Sequence, residues 1–171
     1  MVISMLVIMV PLLAIIWFFT NDPEPESEPV NIGAHLAVAE DESPYPVLRA
    51  VELPESWTPI RAAWARDGEP WVTGVPADGN TWMAGYLGPD EIYYGIEQRD
   101  RSGAELISRA TRDGAPVEGG VEAAGLTWER YESEDGRTKS LVAEEGEMTA
   151  VVSADTDFEA LEAFATSLNA K

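Results

Sequence analysis

The stretch EIYYGIEQRDRSGAELI (91–107) sets the pattern for the folded part of this chain. Its apolar side chains recur every second residue from Ile92 to Ile96, which is typical of a strand with one buried face. After a polar joint, Ser102 and Glu105 form the S-x-x-E pattern of a capping box, in which both side chains satisfy free N–H groups at a helix start. The stretch therefore predicts a strand, a short connection and a capped helix.

A second stretch, EMTAVVSADTDFEALE (147–162), follows the same order about 55 residues later. Thr156 and Glu159 repeat the capping-box pattern. The apolar stripe of this helix consists of Phe158, Leu161, Ala165 and Leu168. The repetition indicates either a duplicated βββα unit or two common motifs in succession.

Further strand patterns, separated by turns such as RDGEP, GPD and DGR, lie around these two stretches. The candidate strands are PIRAAWAR (59–66), WVTGV (71–75), NTWMAGYL (80–87), GLTWERYES (125–133) and TKSLVAE (138–144). A sheet with hairpin connections and two amphipathic helices predicts the α+β class. We expect an antiparallel β-sheet with two helices packed on one face, after an N-terminal transmembrane helix.

Residues 1–20 form an uncharged, strongly apolar segment. As a helix, such a segment would span about 30 Å, the thickness of the hydrocarbon core of a bilayer. A buried core helix would show a polar face, and a cleavable signal peptide would show small residues at a cleavage point; this segment shows neither. We expect an uncleaved signal-anchor with the N-terminus in the cytoplasm, because the following segment is acidic.

The charge of the chain is uneven, with 31 acidic and 11 basic residues in total. Residues 21–44 form an acidic Pro/Glu linker with seven acids and no base, and its part 31–42 is compatible with one short helix. Residues 45–171 are expected to form the extracytoplasmic α+β domain. An acidic surface repels phosphate groups, so we expect no nucleic-acid partner.

The sequence offers few residues for catalysis or metal binding. It has no cysteine, and His35 is its single histidine, in the acidic segment. Lys139 and Ser140 are adjacent in a predicted strand and should point to opposite faces. The acids at 132–136 lack the ligand spacing of a calcium loop, and the aspartates at 155–157 lie at a predicted helix start, where they can cap free N–H groups. We therefore expect no cofactor, no metal and no enzyme activity.

Aromatic residues are the remaining candidates for a binding surface. We select Trp82, Tyr86, Tyr93 and Trp128, because large rings dominate binding surfaces as well as cores. Trp82 and Tyr86 are four residues apart on one predicted strand and therefore point to the same face, and the same holds for Tyr93 and Glu97 on the next strand. A paired aromatic patch on the open sheet face is therefore feasible. Core filling is the alternative for the same rings.

Four segments carry a resemblance to a known family: MVISMLVIMVPL (1–12), YPVLRAVELPESWTP (45–59), GLTWERY (125–131) and FEALEAFATSL (158–168). They resemble an actinobacterial single-pass membrane family catalogued as domain of unknown function 4245. The resemblance implies one membrane helix, an acidic linker and an extracytoplasmic α+β domain, and it implies no catalytic residues. Members carry basic residues before the membrane helix, which this chain lacks.

These observations favour a non-enzymatic binding or accessory module of the bacterial cell envelope. Its expected partners are the lipid bilayer, through residues 1–20, and a protein or another envelope component. Two alternatives remain open at this point. One is a cofactor-free envelope hydrolase with paired carboxylates, and the other is an extracytoplasmic sensor-like domain.

Membrane placement yields a first prediction. Protease added outside intact spheroplasts should digest residues 45–171, because the acidic flank places the domain outside the cytoplasm. Mass spectrometry of the purified protein should still find residues 1–20. A shielded carboxyl half, or a mature chain that begins after residue 20, would contradict this topology.

Overall fold

The computed structural model describes Met9 and residues 31–170, apart from the side chain of Asp90. The predicted membrane anchor at 1–20, Met9 excepted, and the first part of the predicted linker lie outside the described residues. In the part that is described, no helix is both long and apolar enough to cross a membrane.

The described residues fold into one main sheet, a two-stranded ribbon and three helices. Its elements are α1 (Ile32–Glu42), β1 (Leu48–Ala50), β2 (Thr58–Ala65), β3 (Thr81–Leu87), a 3-10 turn (Pro89–Glu91), β4 (Tyr93–Arg99), α2 (Gly103–Ala110), β5 (Ala115–Ala123), β6 (Leu126–Glu132), β7 (Lys139–Glu145), β8 (Met148–Ala154), α3 (Phe158–Thr166) and β9 (Leu168–Ala170). Seven strands form an antiparallel sheet in the order β2-β3-β4-β8-β7-β6-β5, and β1 pairs with β9 separately. The predicted α+β class and antiparallel sheet are confirmed.

The helices α2 and α3 pack on opposite faces of the sheet, so the prediction of two helices on one face is wrong. Leu106 of α2 packs against Val142 and Val151. The helix α3 belongs to the cluster that contains Leu141 and Val152. Because adjacent residues of a strand point to opposite faces, these two contact sets define two separate layers.

The central strands require this arrangement, because their apolar residues are continuous rather than alternating. All residues in 141–143 and 150–152 are buried, so both faces of β7 and β8 must be covered. The connections to the helices differ accordingly. Ser102, before α2, is left-handed with φ 51° and ψ 44°, whereas Asp157, before α3, is extended with φ −89° and ψ 168°. The order of elements repeats along the chain, but the packing does not.

Neither predicted capping box forms as expected. Ser102 caps no N–H group of α2, and its hydroxyl instead donates a hydrogen bond to Asp78 at 2.5 Å. At α3 the cap is Asp157 rather than Thr156, and its carboxylate accepts from the Ala160 N–H at 2.8 Å. The capping-box spacing identified both helix starts, and the cap of α3 is one of the two aspartates expected to cap free N–H groups there.

The helix α1 is part of the folded domain, although the predicted boundary at residue 45 placed it in the linker. It occupies Ile32–Glu42, close to the predicted 31–42. Leu36 and Ala39 are buried in the main core cluster. Its last turn is also attached to the sheet, because the Trp64 indole donates to Glu42 at 2.8 Å.

Two segments differ from the predicted strands. The predicted strand at 71–75 is a turn, in which the Trp71 N–H bonds to the Val75 carbonyl at 3.3 Å. The strand β5 was not predicted, because its two central glycines and its exposed side chains hide any alternation. It is an edge strand that pairs with β6 through the backbone, with a bulge between Val117 and Gly120.

The two candidate caps of α3 yield a prediction. Replacing Asp157 by Ala should lower the free energy of unfolding by about 1 kcal/mol, since it removes the acceptor of the Ala160 N–H. Thr156→Ala is the matched control and should leave stability nearly unchanged. Chemical denaturation of both variants measures the difference, and an equal or larger loss for Thr156→Ala would contradict the assignment of the cap.

Candidate binding groove

An apolar groove lies between α3, the segment before β2 and the turn before β4. Its volume is about 600 Å³, which lies in the range of small-ligand sites. The apolar lining includes Leu53, Trp57, Ile92, Tyr94, Ala160 and Phe164. Three separate parts of the chain therefore meet at this site.

The floor of the groove is a cluster of aromatic rings. Trp57 stacks on Phe164 with ring centroids 5.2 Å apart and an angle of 11° between the planes. Tyr94 contacts both rings, at centroid distances of 4.7 Å from Trp57 and 5.0 Å from Phe164. Tyr94 and Phe164 are buried, whereas Trp57 is only half-buried and presents part of its ring to the groove. These mutual contacts hold the rings in one arrangement before any ligand arrives.

The turn in LPESW (53–57) places Trp57 over the sheet. The Trp57 N–H bonds to the Pro54 carbonyl at 2.9 Å and closes this turn. Below the ring, the chain passes so closely that Gly88 has no room for a side chain. A Cβ at that position would lie 2.9 Å from ring carbons of both Trp57 and Tyr94. The glycine therefore sets how deeply Trp57 sits.

The rim of the groove is acidic. Glu52 and Asp157 are the charged residues among those that line it, and both are exposed. Asp157 lies at the start of α3, where its carboxylate caps the helix. An apolar floor with two carboxylates at its edge suits an apolar group that carries a positive charge beside it.

Three of the four predicted binding residues are core residues. Trp82 and Trp128 are 0% and 1% exposed, and Tyr86 is also buried. The Trp82 indole donates to the Leu48 carbonyl at 2.9 Å, and the Trp128 indole donates to the Ala123 carbonyl at 3.0 Å. The expected exposed patch on these rings is therefore not formed. Trp82 and Tyr86 do share a face, but α1, α3 and the segment around β1 cover it.

Tyr93 is the exposed member of the predicted set, with 39% of its surface accessible. Its ring lies across Gly85 and Gly95 on the face opposite the groove, where a Cβ at Gly85 would meet the ring and hydroxyl. Partial burial raises the pKa of the Tyr93 hydroxyl, and the nearby Arg61 opposes this shift. The predicted residues are thus divided between the two faces of the sheet.

The remaining candidates for chemistry lie apart from the groove. His35 is exposed on α1. Lys139 and Ser140 point to opposite faces, as predicted; the Lys139 ammonium contacts Glu132 at 2.7 Å, and Ser140 is buried. Among the described residues, no cluster of three or more His, Cys, Asp or Glu side chains could hold a metal ion.

Sequence reasoning missed Phe164 and Ile92 as parts of a site. Phe164 lies outside the predicted apolar stripe of α3, and Ile92 was assigned to the buried face of a strand. The signal that was available is the spacing of prolines around Trp57 in LPESWTP, which indicates an ordered turn. Nothing in the sequence placed that turn against α3.

The close approach at Gly88 yields a prediction. Gly88→Ala should push Trp57 and Tyr94 apart and lower the free energy of unfolding by about 1–3 kcal/mol. Near-ultraviolet circular dichroism should report the altered ring packing. Gly33→Ala in the exposed part of α1 is the matched control, and it should be neutral or stabilising. Unchanged spectra and stability for Gly88→Ala would contradict the described packing.

Comparison with known proteins identifies the family. No curated protein and no solved structure gives a significant match to this chain. A family described as "Protein of unknown function (DUF4245)" matches residues 1–168, which is nearly the whole chain. This confirms the resemblance to that family. The chain is therefore a member of the DUF4245 family.

Proposed function

We propose that this protein is a membrane-tethered extracytoplasmic binding module, an accessory component of a bacterial envelope complex. Its groove over Trp57 and Phe164 would hold an apolar segment of a partner protein with a Lys or Arg beside it. The observation that carries the proposal is the half-buried aromatic floor bordered by Glu52 and Asp157.

Residues 1–20 and the acidic segment that follows them support the membrane tether and the extracytoplasmic location. An uncharged segment of bilayer length supports an anchor. A domain with a large excess of acids stands away from anionic headgroups and keeps the groove accessible to other proteins. The same charge attracts cationic segments over a distance of about one Debye length, roughly 8–10 Å.

The distribution of carboxylates favours binding over hydrolysis. A carboxylate pair that catalyses hydrolysis needs one acid whose environment keeps it protonated, which normally requires burial. Among the described residues, no Asp or Glu side chain is buried. The two acids of the groove both lie at its exposed rim.

A peptide-binding experiment tests the groove. The full-length protein in mild detergent should select, from a random peptide library, sequences with an aromatic or large aliphatic residue close to Lys or Arg. Ala163→Arg should weaken binding of the selected peptides by at least about tenfold, because it places a bulky positive charge in the groove. Ala163 is exposed and Arg is a good helix former, so the fold should be retained.

Ala37→Arg in α1 is the matched control, since it adds the same side chain to an exposed helix site outside the groove. It should leave peptide binding unchanged. Equal binding by both variants would show that the groove is not the contact, and selection of acidic peptides would contradict the role of the rim. A partner captured from mildly solubilised membranes should likewise depend on Ala163 and not on Ala37.

A further inference from the structure

The loop that joins β2 to β3 (66–80) carries an uncharged tip at 71–76. Val75 is 61% exposed, the largest fraction for any large apolar side chain that the structure describes, and Val72 is 48% exposed. Single exposed apolar residues are common on protein surfaces. Two such valines in one turn, next to the half-buried Trp71, instead form an apolar patch that faces solvent.

Hydrogen bonds and packing fix the loop in one shape. The Gly68 N–H donates to the Ala77 carbonyl at 2.9 Å, and the Ala77 N–H donates to the Glu69 carbonyl at 2.8 Å. Trp71 lines a cavity of about 340 Å³ beside Arg99, between the loop and α2. The tip is therefore ordered in advance, so its burial in another medium carries little further cost in backbone entropy.

Acids at the base of the loop are paired with arginines. The Arg66 guanidinium lies 3.0 Å from the Glu69 carboxylate. The Arg101 guanidinium lies 2.8 Å from Asp67 and 4.0 Å from Asp78. In a chain with a large excess of acids, these pairs offset the negative charge around the tip. The loop can therefore approach lipid headgroups with less repulsion than an unpaired acidic surface.

The segment 21–31 is long enough to bring the loop to the membrane in which residues 1–20 are proposed to lie. Its eleven residues can span at most about 40 Å. The helix α1 begins at Ile32 and ends beside the base of the loop, where Glu42 lies 3.7 Å from Arg66. Because this helix is only about 16 Å long, the tether can bridge it and still reach the bilayer surface.

The small size of the tip favours a lipid surface over a protein partner. A stable protein interface takes about 20–30 residues from each side, whereas the tip has six. A bilayer interface accepts an isolated apolar group without a complementary surface, and Trp is enriched at that depth. The tether also raises the effective concentration of the tip at the membrane, so that weak insertion is populated.

We propose that the tip inserts into the interface of the bilayer that anchors the chain, and that it thereby orients the domain. This insertion rests on the membrane tether of the proposed function. The loop precedes β3, whereas the groove lies beyond the other end of β3, at Pro89 and Ile92. Insertion of the tip turns the groove away from the lipid and toward partners outside the membrane. The acids elsewhere hold the rest of the domain off the headgroups.

Site-directed spin labelling tests the insertion, because the chain has no cysteine of its own. Full-length Val75→Cys protein with a nitroxide label is reconstituted into phosphatidylcholine vesicles. Val117→Cys is the matched control, at an exposed valine on the opposite edge of the sheet. The label at position 75 should lose accessibility to a water-soluble nickel complex and gain accessibility to oxygen, which concentrates in lipid. The label at position 117 should show neither change.

Two outcomes of this measurement would overturn the proposal in distinguishable ways. Equal accessibility of the two labels, in vesicles that retain the protein on flotation, would exclude insertion and leave the tether intact. Separation of the protein from the vesicles on flotation would remove the tether and the insertion together.

A second variant tests whether apolar burial holds the tip. Val72→Asp in the labelled Val75→Cys protein should lower the inserted fraction at least about tenfold, because it replaces an apolar side chain by a charge. Val117→Asp is the matched control and should leave the label at position 75 inserted. Both sites are exposed, so the melting temperature should change little. Undiminished insertion of the Val72→Asp protein would overturn the proposal.

Discussion

The fold depends on three polar side chains of β3 and β4 that hold a proline-rich segment against the sheet. Gln98 is fully buried; its carbonyl accepts from the Leu48 N–H at 2.7 Å, and its amide donates to the Pro46 carbonyl at 3.1 Å. Trp82 bonds to the Leu48 carbonyl and Tyr86 to the Ala50 N–H. Prolines prevent this segment from joining the main sheet as a regular strand, so side chains supply the missing hydrogen bonds.

This attachment links the helix α1 to the groove. The segment that Gln98 and Trp82 hold continues from β1 into the turn that carries Trp57. On its other side, β1 pairs with β9, directly after α3. The two elements that form the walls of the groove are therefore joined through one short ribbon. A partner that binds over Trp57 and Phe164 would contact the point where the N-terminal segment and the C-terminal helix meet.

The two faces of the sheet carry different kinds of site. On the face of α3, the groove is apolar with an acidic rim, and its aromatic rings are held by mutual contacts. On the face of α2, the cavity beside Arg99 is smaller, and its lining combines the apolar Trp71 and Val75 with charged residues of both signs. The joint before α2 is left-handed and the joint before α3 is extended, and the two helices lie on different faces, where α3 lines the groove and α2 lines the smaller cavity.

The sequence alone determined the local elements and their order. Alternation and turn signals located most strands of the main sheet, because these signals depend on neighbours along the chain. It did not determine which face each helix covers, or that Trp82 and Tyr86 bind the chain's own backbone. An even spacing along a strand shows that two side chains share a face, but only long-range packing decides what covers that face. The groove and the cavity beside Arg99 likewise come from residues distant in sequence, and only the tertiary structure brings them together.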